Sequence, residues 1–122
     1  MKVPENLLYT KEHEWISKKD NAVKVGITDF AQSQLGDIIF LELPEVGDQI
    51  VAGESFGEIE AVKTVSELYA PIDGTILEVN EDLEDSPDNI NQDCYGTGWI
   101  IKVSHEGDLE SNELLDHKAY SN

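Results

Sequence analysis

The sequence predicts one mainly β domain over residues 1–122, and three observations support that prediction. A chain of 122 residues has the usual length of a single domain. Hydrophobic residues make up 39% of it and charged residues 28%, a balance that allows a core and argues against disorder. Short segments rich in β-branched residues recur between the nine glycines, which is typical of strands joined by turns.

Six segments have the length and composition of strands. They are Ala22–Ile27, Ile39–Leu43, Ser55–Ala61, Val65–Tyr69, Gly74–Val79 and Gly98–Val103. A weak internal repeat accompanies them, because Gly36–Leu41 resembles Gly74–Val79 and Phe56–Ile59 resembles Thr97–Ile100. The repeat predicts two similar units related by a pseudo-twofold axis, as in a small flattened barrel.

Three short helices are predicted among the strands from their capping residues. Thr28 is suited to cap a helix over residues 29–35, which Gly36 would end. Asn80 is suited to cap a single turn over residues 81–83. Ser111 is suited to cap a C-terminal helix over residues 112–115.

The charge of the chain excludes several classes of function. Eight lysines and no arginine stand against 26 acidic residues, so the formal net charge is −18. Nucleic acids and anionic membranes both require clustered cations, and we expect neither as a partner. A chain this acidic repels its own copies, and we expect a monomer that is steered toward basic protein surfaces.

The ends and the hydropathy of the chain bear on its compartment. Residues 1–5 lack the apolar segment of a signal peptide, and no apolar stretch is long enough to span a bilayer. We therefore expect no targeting segment, and a location in the cytoplasm or in an organelle matrix.

Metal and enzymatic sites are not favoured by the sequence. Cys94 is the one cysteine, which excludes an internal disulfide and a CxxC zinc site. The acidic run over residues 81–88 lacks the alternating ligands and central glycine of a calcium loop. Neither a local nucleophile–base signature nor a phosphate-binding loop occurs, so an enzyme is the least favoured class.

Lys63 stands out because it is the one lysine between Lys24 and Lys102, a span of 77 residues that holds 17 acidic residues. It lies between two predicted strands, where a tight hairpin turn belongs, yet the turn lacks Asn-Gly or Asp-Gly. One interpretation is a surface lysine that pairs with Glu58, Glu60 or Glu67. A Schiff-base lysine is disfavoured because acidic neighbours hold the amine protonated. The third interpretation is a lysine that another enzyme acylates.

The residues around Lys63 resemble a known family. The run FGEIEAVKTVSELYAPIDG over residues 56–74 is similar to the lipoyl-attachment hairpin of the glycine cleavage H-protein family. Further blocks of the family pattern follow in order: YTKEHEW from Tyr9, GITDFAQ from Gly26, LGDI from Leu35, LPEVG from Leu43, IN from Ile90 and YGTGW from Tyr95. The resemblance extends from about residue 7 to 120 of the chain.

The resemblance implies a fold and a function. The implied fold is a lipoyl/biotinyl-type barrel-sandwich hybrid of two small antiparallel sheets, with short helices and a C-terminal helix. Its attachment hairpin would span residues 56–71 and carry lipoate covalently on Lys63. The implied role is that of a carrier subunit and not an enzyme, in a bacterial cytoplasm or a mitochondrial matrix. The carrier would move the aminomethyl group of glycine between enzymes.

The partners that the resemblance implies are four enzymes. They are the pyridoxal-phosphate-dependent glycine decarboxylase, the tetrahydrofolate-dependent aminomethyltransferase, the dihydrolipoyl dehydrogenase and a lipoate-attaching enzyme. Glu14 and Glu67 match acidic family residues in a cleft that receives the loaded arm. Glu12 and Cys94 depart from the residues expected at their positions, and Cys94 is interpreted as a small packed side chain.

Three alternatives use the same lysine differently. An H-like protein that relays lipoyl groups to other lipoate-dependent enzymes would also need Lys63. A biotin carrier usually has methionines on both sides of its lysine, whereas Val62 and Thr64 occupy those places here. A domain that only binds partners would leave Lys63 unmodified.

Overall fold

The computed structural model describes residues 3–19, 22–105 and 114–121. These residues form strands and short helices in the following order: β1 Leu8–Tyr9, β2 Glu14–Lys19, β3 Ala22–Ile27, α1 Asp29–Leu35, β4 Ile38–Glu42, β5 Gln49–Ile50, β6 Ser55–Ala61, β7 Val65–Tyr69, β8 Gly74–Val79, α2 Asp82–Asp85, α3 Asn89–Asp93, β9 Ile101–Ser104 and α4 His117–Ser121. None of the helices in the described ranges is long and apolar enough to cross a membrane.

The strands form two antiparallel sheets, which confirms the predicted fold class. One sheet has six strands in the order β1-β2-β3-β9-β8-β5, and the other has three in the order β4-β6-β7. Strands β4 and β7 are edges of the small sheet, so the flattened barrel expected from the repeat is not closed within the described residues. The hairpin β6–β7 is the one that carries Lys63.

Four predicted strands have the observed bounds, namely β3, β6, β7 and β8. Strand β4 begins one residue earlier than predicted, and β9 begins only at Ile101. Residues 98 and 99 instead belong to a turn, where Gly98 N donates to Asp93 O (2.9 Å) and Trp99 N to Gly96 O (3.2 Å). Strands β1, β2 and β5 and helix α3 were not predicted.

Helix α1 confirms its prediction at both ends. Thr28 has extended backbone angles, and its hydroxyl accepts a hydrogen bond from Ala31 N (3.2 Å). Gly36 follows with φ of 80°, a conformation that favours glycine, and its N–H donates to Gln32 O (3.0 Å).

The other two helix predictions need correction. Helix α2 begins at Asp82, and the side chain of Asn80 does not cap it. Asn80 is buried, and its amide donates instead to Thr97 O (2.9 Å) and Trp99 O (2.7 Å), because these buried donors and acceptors must be paired. The helix predicted over residues 112–115 is wrong in its described part, since Leu115 forms a β-bridge with Tyr9 and helix α4 starts at His117. Ser111 and residues 112–113 lie outside the described residues.

Two clusters of buried side chains hold the sheets together. The main core lies between the sheets and is built mostly from isoleucine and valine, with Cys94 among its members as predicted. A second cluster holds Leu7, Tyr9 and Trp15 against partly buried residues that include Tyr120 of α4. The ring of Tyr120 stacks on that of Tyr9 at a centroid distance of 4.7 Å. The second cluster thereby fixes the segment from Thr10 to Glu14, which leads into β2.

Candidate functional site

Lys63 lies at the tip of the β6–β7 hairpin. Glu60 pairs with Val65, and Ala61 N donates to Thr64 O (2.8 Å), so Val62 and Lys63 are the two central residues of the turn. Among the described residues, His13 is the one non-glycine residue with positive φ. The turn is therefore not of the primed types that Asn-Gly favours, in agreement with its sequence.

A contact from outside the hairpin holds its tip. Val62 N donates to the carbonyl of Asp37 (3.1 Å), which directly precedes β4. Asn91 of α3 fixes that segment, because its side-chain oxygen accepts from Ile38 N (3.0 Å) and its amide donates to Gly36 O (2.8 Å). These bonds anchor the turn to β4 and α3.

The side chain of Lys63 is exposed. The ion pair found among the described residues joins Lys102 Nζ to Glu78 Oε2 at 3.6 Å and does not involve Lys63. The interpretation that Lys63 pairs with Glu58, Glu60 or Glu67 is therefore not supported. The side chain is therefore accessible at the tip of the hairpin.

Glu14 is the buried acidic residue of the site, with 3% of its surface exposed. Its Oε2 accepts a hydrogen bond from Tyr69 N (2.8 Å), and its Oε1 accepts one from the Thr10 hydroxyl (3.2 Å). The bond to Tyr69 satisfies a backbone donor at the edge of β7, so Glu14 also closes part of that edge. Thr10 further accepts from the backbone N–H of Glu14 (3.2 Å), which fixes the turn that bears the carboxyl.

Burial raises the pKa of Glu14 from 4.5 to about 8. The hydrogen bonds from Tyr69 and Thr10 lower the pKa, and the nearby Glu12 raises it, but desolvation is the largest cause. Glu14 consequently holds its proton at neutral pH while no cation is beside it.

Glu67 lies on β7 and is exposed. Its Oε2 accepts a hydrogen bond from the Tyr69 hydroxyl (3.0 Å). That bond and the charge of Glu67 raise the pKa of the Tyr69 phenol above its usual 10. Tyr69 thus contacts Glu14 through its backbone and Glu67 through its side chain.

Two clefts adjoin these residues. The small cleft, about 160 Å³, lies between α1 and β7, and its lining includes Glu12, Glu14, Phe30 and Glu67. The large cleft, about 580 Å³, is lined by Glu14 and Tyr69 together with residues that include Lys11 and Pro71. Glu14 lines both clefts, and the structure brings Glu14 and Glu67 together in the small one. Lys63 lines neither cleft; it lies at the end of the hairpin whose strand β7 forms one wall.

Sequence reasoning missed three residues that build this site. Thr10 and Tyr69 provide the two hydrogen bonds to the Glu14 carboxyl. Tyr69 lies two residues after Glu67 on the same strand, and this spacing could have suggested their contact. Tyr120 helps to fix the segment before β2 through a hydrogen bond between its hydroxyl and His13 Nδ1 (2.8 Å). Sequence spacing could not have indicated this contact, because the two residues are 107 positions apart.

No group of three or more metal-ligating side chains occurs within the described ranges. The acidic residues of the site are spread around the clefts and the small sheet. The arrangement presents an exposed amine, Lys63, near a cleft that holds a buried and protonated carboxyl, Glu14.

Comparisons with known proteins agree on one family. The model of the glycine cleavage H-protein family matches residues 7–122. The chain is 49% identical over 120 residues to the glycine cleavage system H protein of Oceanobacillus iheyensis, covering 98% of this chain and 95% of that protein. It is 56% identical over 123 residues to the one of Mycobacterium avium, covering 97% and 93%. A crystal structure of a glycine cleavage system H protein from Mycobacterium marinum has a TM-score of 0.91 and 44% identity, covering 98% and 96%.

Proposed function

Because the chain belongs to the glycine cleavage H-protein family, we propose that it is a lipoyl carrier with Lys63 as its attachment residue. One observation carries the proposal: the side chain of Lys63 is exposed at the tip of a hairpin, and no other lysine lies between residues 24 and 102. An enzyme that acylates one lysine of a folded protein needs this accessibility.

The residues of the site fit a lipoyl arm. Lipoate joined to Lys63 Nζ by an amide bond would supply the dithiol that carries the aminomethyl group of glycine between enzymes. Strand β7 runs from the turn that bears Lys63 to the wall of the small cleft, so an attached arm would extend along it toward Glu67 and Glu14. An arm tethered at Lys63 would hold its end at a high effective concentration beside the cleft.

Glu14 is proposed to receive a positively charged amine in the cleft. Its carboxyl is neutral at neutral pH because burial raises its pKa to about 8. A nearby cation favours the ionised form, so Glu14 would release its proton to water and accept a charge-assisted hydrogen bond. Thr10 and Tyr69 N would hold the carboxylate in place during that change.

Glu67 is proposed to attract the same amine from the exposed side of the cleft. Its contribution is smaller than that of Glu14 because solvent screens an exposed charge. The Tyr69 hydroxyl fixes the Glu67 carboxylate and so limits the entropy lost when a cation binds.

The proposed partners are the enzymes of the glycine cleavage system and a lipoate-attaching enzyme. The carrier would receive the aminomethyl group at the glycine decarboxylase, deliver it to the aminomethyltransferase, and be reoxidised by the dihydrolipoyl dehydrogenase. We propose that the chain acts as one monomeric carrier domain over residues 1–122 and performs no catalysis of its own. The compared relatives are bacterial, which supports a cytoplasmic location.

A tryptic mass map of the protein from lipoate-supplied cells tests the attachment. Trypsin cuts this chain only at lysines, so an unmodified Lys63 gives the peptides Val25–Lys63 and Thr64–Lys102. An acylated Lys63 resists cleavage and leaves one peptide of 78 residues, Val25–Lys102, heavier by one lipoyl group. Two unmodified peptides from cells with an active ligase would refute the proposal.

The relay alternative requires the same attached arm, so the mass map does not separate it from the main proposal. A glycine-dependent bicarbonate exchange assay with glycine decarboxylase does. Exchange supported by the lipoylated protein and absent with unmodified protein would establish the glycine cleavage role. Lipoylated protein that supports no exchange would favour the relay.

A further inference from the structure

The small sheet has an exposed outer face next to Lys63. Its inner face packs into the core through residues that include Leu41 and Ile59. The outer face, which we define as Phe40, Glu42, Glu58, Glu60, Val65 and Glu67, is exposed at every position. The three strands are therefore covered on one side only.

The strand register arranges the outer face in two rows. Phe40 is opposite Glu60, and Glu60 is opposite Val65, so an apolar residue flanks each side of the row nearest the tip. In the next row, Glu42 is opposite Glu58, and Glu58 is opposite Glu67. Directly opposite residues share a face, so three carboxylates stand side by side.

Exposed apolar residues are concentrated on this face and next to it, around the turn that bears Lys63. The exposed fractions are 57% for Phe40, 55% for Val65 and 67% for Val62. With Ile39 of β4, these residues make up half of the eight large hydrophobic residues that are exposed in the described ranges. All four lie close to the turn that bears Lys63, whereas the other four are distributed over the rest of the chain. Clustered exposed apolar residues mark protein interaction surfaces.

The acidic row is unfavourable for the isolated protein, because like charges directly opposite one another destabilise a sheet. Neither Glu42 nor Glu58 has a cationic partner among the described residues, and the Glu67 carboxylate is bonded to a neutral hydroxyl. A partner with basic side chains at the matching positions would remove this repulsion. Charge complementarity of this kind also accelerates encounter.

We propose that the outer face of the small sheet is the docking surface for the enzyme that acylates Lys63. The proposal rests on the proposed function, since it presumes that Lys63 is the attachment lysine. The partner would place an apolar surface over Phe40 and Val65 and basic side chains over the Glu42–Glu58–Glu67 row.

The attaching enzyme is the best-supported occupant because it alone acts before any arm exists. It must select Lys63 among eight lysines by recognising the protein around it. In the transfer, the bond between the acyl carbon and phosphate of lipoyl-adenylate breaks as the amide to Nζ forms. AMP and the two protons lost by the ammonium group are the other products. The outer face lies beside Lys63 and shares only Glu67 with the lining of the small cleft, so the rest of that lining stays free for the arm that results.

The test measures acylation by a lipoate–protein ligase with ATP and lipoate, followed by mass spectrometry. The double variant Phe40→Thr/Val65→Thr places β-branched threonine at two exposed strand positions and should fold. We expect its kcat/KM for acylation to fall about tenfold, mainly through KM, since only docking contacts are lost. Direct binding of the ligase to the unmodified variant should weaken by a similar factor.

Matched controls come from the other sheet and from α2. Leu77→Thr changes an exposed strand residue of β8, and Glu84→Gln neutralises an exposed carboxylate of α2. Both should be acylated at the rate of the parent. Glu58→Gln should lower kcat/KM about threefold at low salt and have little effect at high salt.

Several results would overturn the proposal. One is a folded double variant whose kcat/KM for acylation and affinity for the ligase stay within about twofold of those of the Leu77→Thr control, instead of falling about tenfold. Another is normal acylation combined with a large loss of glycine decarboxylase exchange by the lipoylated double variant, which would assign the face to that enzyme. A parent protein that the ligase does not acylate would refute the proposed function itself. Acylation of the parent and of all variants alike would refute only the docking surface.

Discussion

The cleft beside strand β7 and the outer face of the small sheet hold acidic residues in opposite conditions. On the cleft side, Glu14 is buried, bonded by Thr10 and Tyr69, and protonated at neutral pH. On the outer face, Glu58 is exposed and directly opposite Glu42 and Glu67. The difference teaches that burial decides what a carboxyl group can do. A buried carboxyl can bind a cation by losing its proton, whereas exposed carboxylates keep their charge and attract a partner from a distance.

The largest effect is expected at Lys63, at the tip of the hairpin that adjoins both regions. Lys63→Arg should abolish acylation, because a guanidinium does not form the lipoyl amide, and should change the free energy of unfolding by less than about 0.5 kcal/mol at this exposed position. Trypsin cuts after arginine, so the variant should yield two peptides, Val25 to residue 63 and Thr64–Lys102, under all conditions. A variant that still gains the mass of one lipoyl group would place the attachment at another lysine.

The next effect concerns the proton of Glu14. The unfolded carboxyl ionises near pH 4.5 and the folded one near 8, so the stability contributed by holding the proton is fully present below about pH 4.5 and is lost as the pH rises through 8. Glu14→Gln should remove this dependence and be more stable than the parent at pH 8.5, by up to about 4 kcal/mol for this shift. Urea denaturation between pH 5 and 9 measures it.

Glu58→Gln is the matched control for that series, because it neutralises a carboxyl on the outer face. It should retain the slope that Glu14 causes in the parent. If both variants lost the same slope, the pH dependence would come from the net charge and not from the buried carboxyl.

A smaller effect is expected from the acidic row itself. Glu58→Gln should stabilise the fold by about 0.5 kcal/mol at low salt, since it relieves repulsion from both neighbouring strands. The gain should vanish near 1 M salt, where the charges are screened. Glu84→Gln should bring a smaller gain, because Glu84 lies on α2 and has no carboxylate directly opposite it in a sheet. Stabilisation equal to that of Glu84→Gln would show that the row carries no specific repulsion.

The smallest effect concerns Glu67, which belongs both to the lining of the small cleft and to the outer face. The carboxylate of Glu67 raises the pKa of the Tyr69 phenol above 10, and Glu67→Gln should return it toward that value. Titration of the Tyr69 ring by NMR follows the change. An unchanged titration would mean that the bond between the two side chains does not persist in solution.

The hairpin was the part of the fold that the sequence predicted best. The bounds of β6 and β7 match the prediction, because a period-two pattern and a short gap between strands are local properties. Strand β2 was missed because its second half is polar, and its pairing with β3 supplies the order that its pattern does not. Asn80 was misassigned because its carbonyl partners lie 17 and 19 residues away.

Lys63 was singled out by its isolation in the sequence and Glu14 and Glu67 by the resemblance, and their roles stay predictions. The structure brings the two carboxyls into one cleft, but their surroundings were not predicted. The burial of Glu14 could not be predicted, because β7 and the segment from Thr10 to Glu14 cover it from distant parts of the chain. The rows of the outer face likewise depend on the register of three strands, which a single sequence does not specify.

The turn that presents Lys63 has a consequence for protein engineering. Residues 62–64 all have negative φ, and Val62 is held through its backbone N–H by the carbonyl of Asp37. The backbone therefore requires no particular side chain at positions 62 and 64. Replacing Val62 and Thr64 with methionine would leave the scaffold intact and surround the lysine with the neighbours usual in biotin carriers. Such a variant would separate recognition of the residues next to the lysine from recognition of the outer face, because only the former would change.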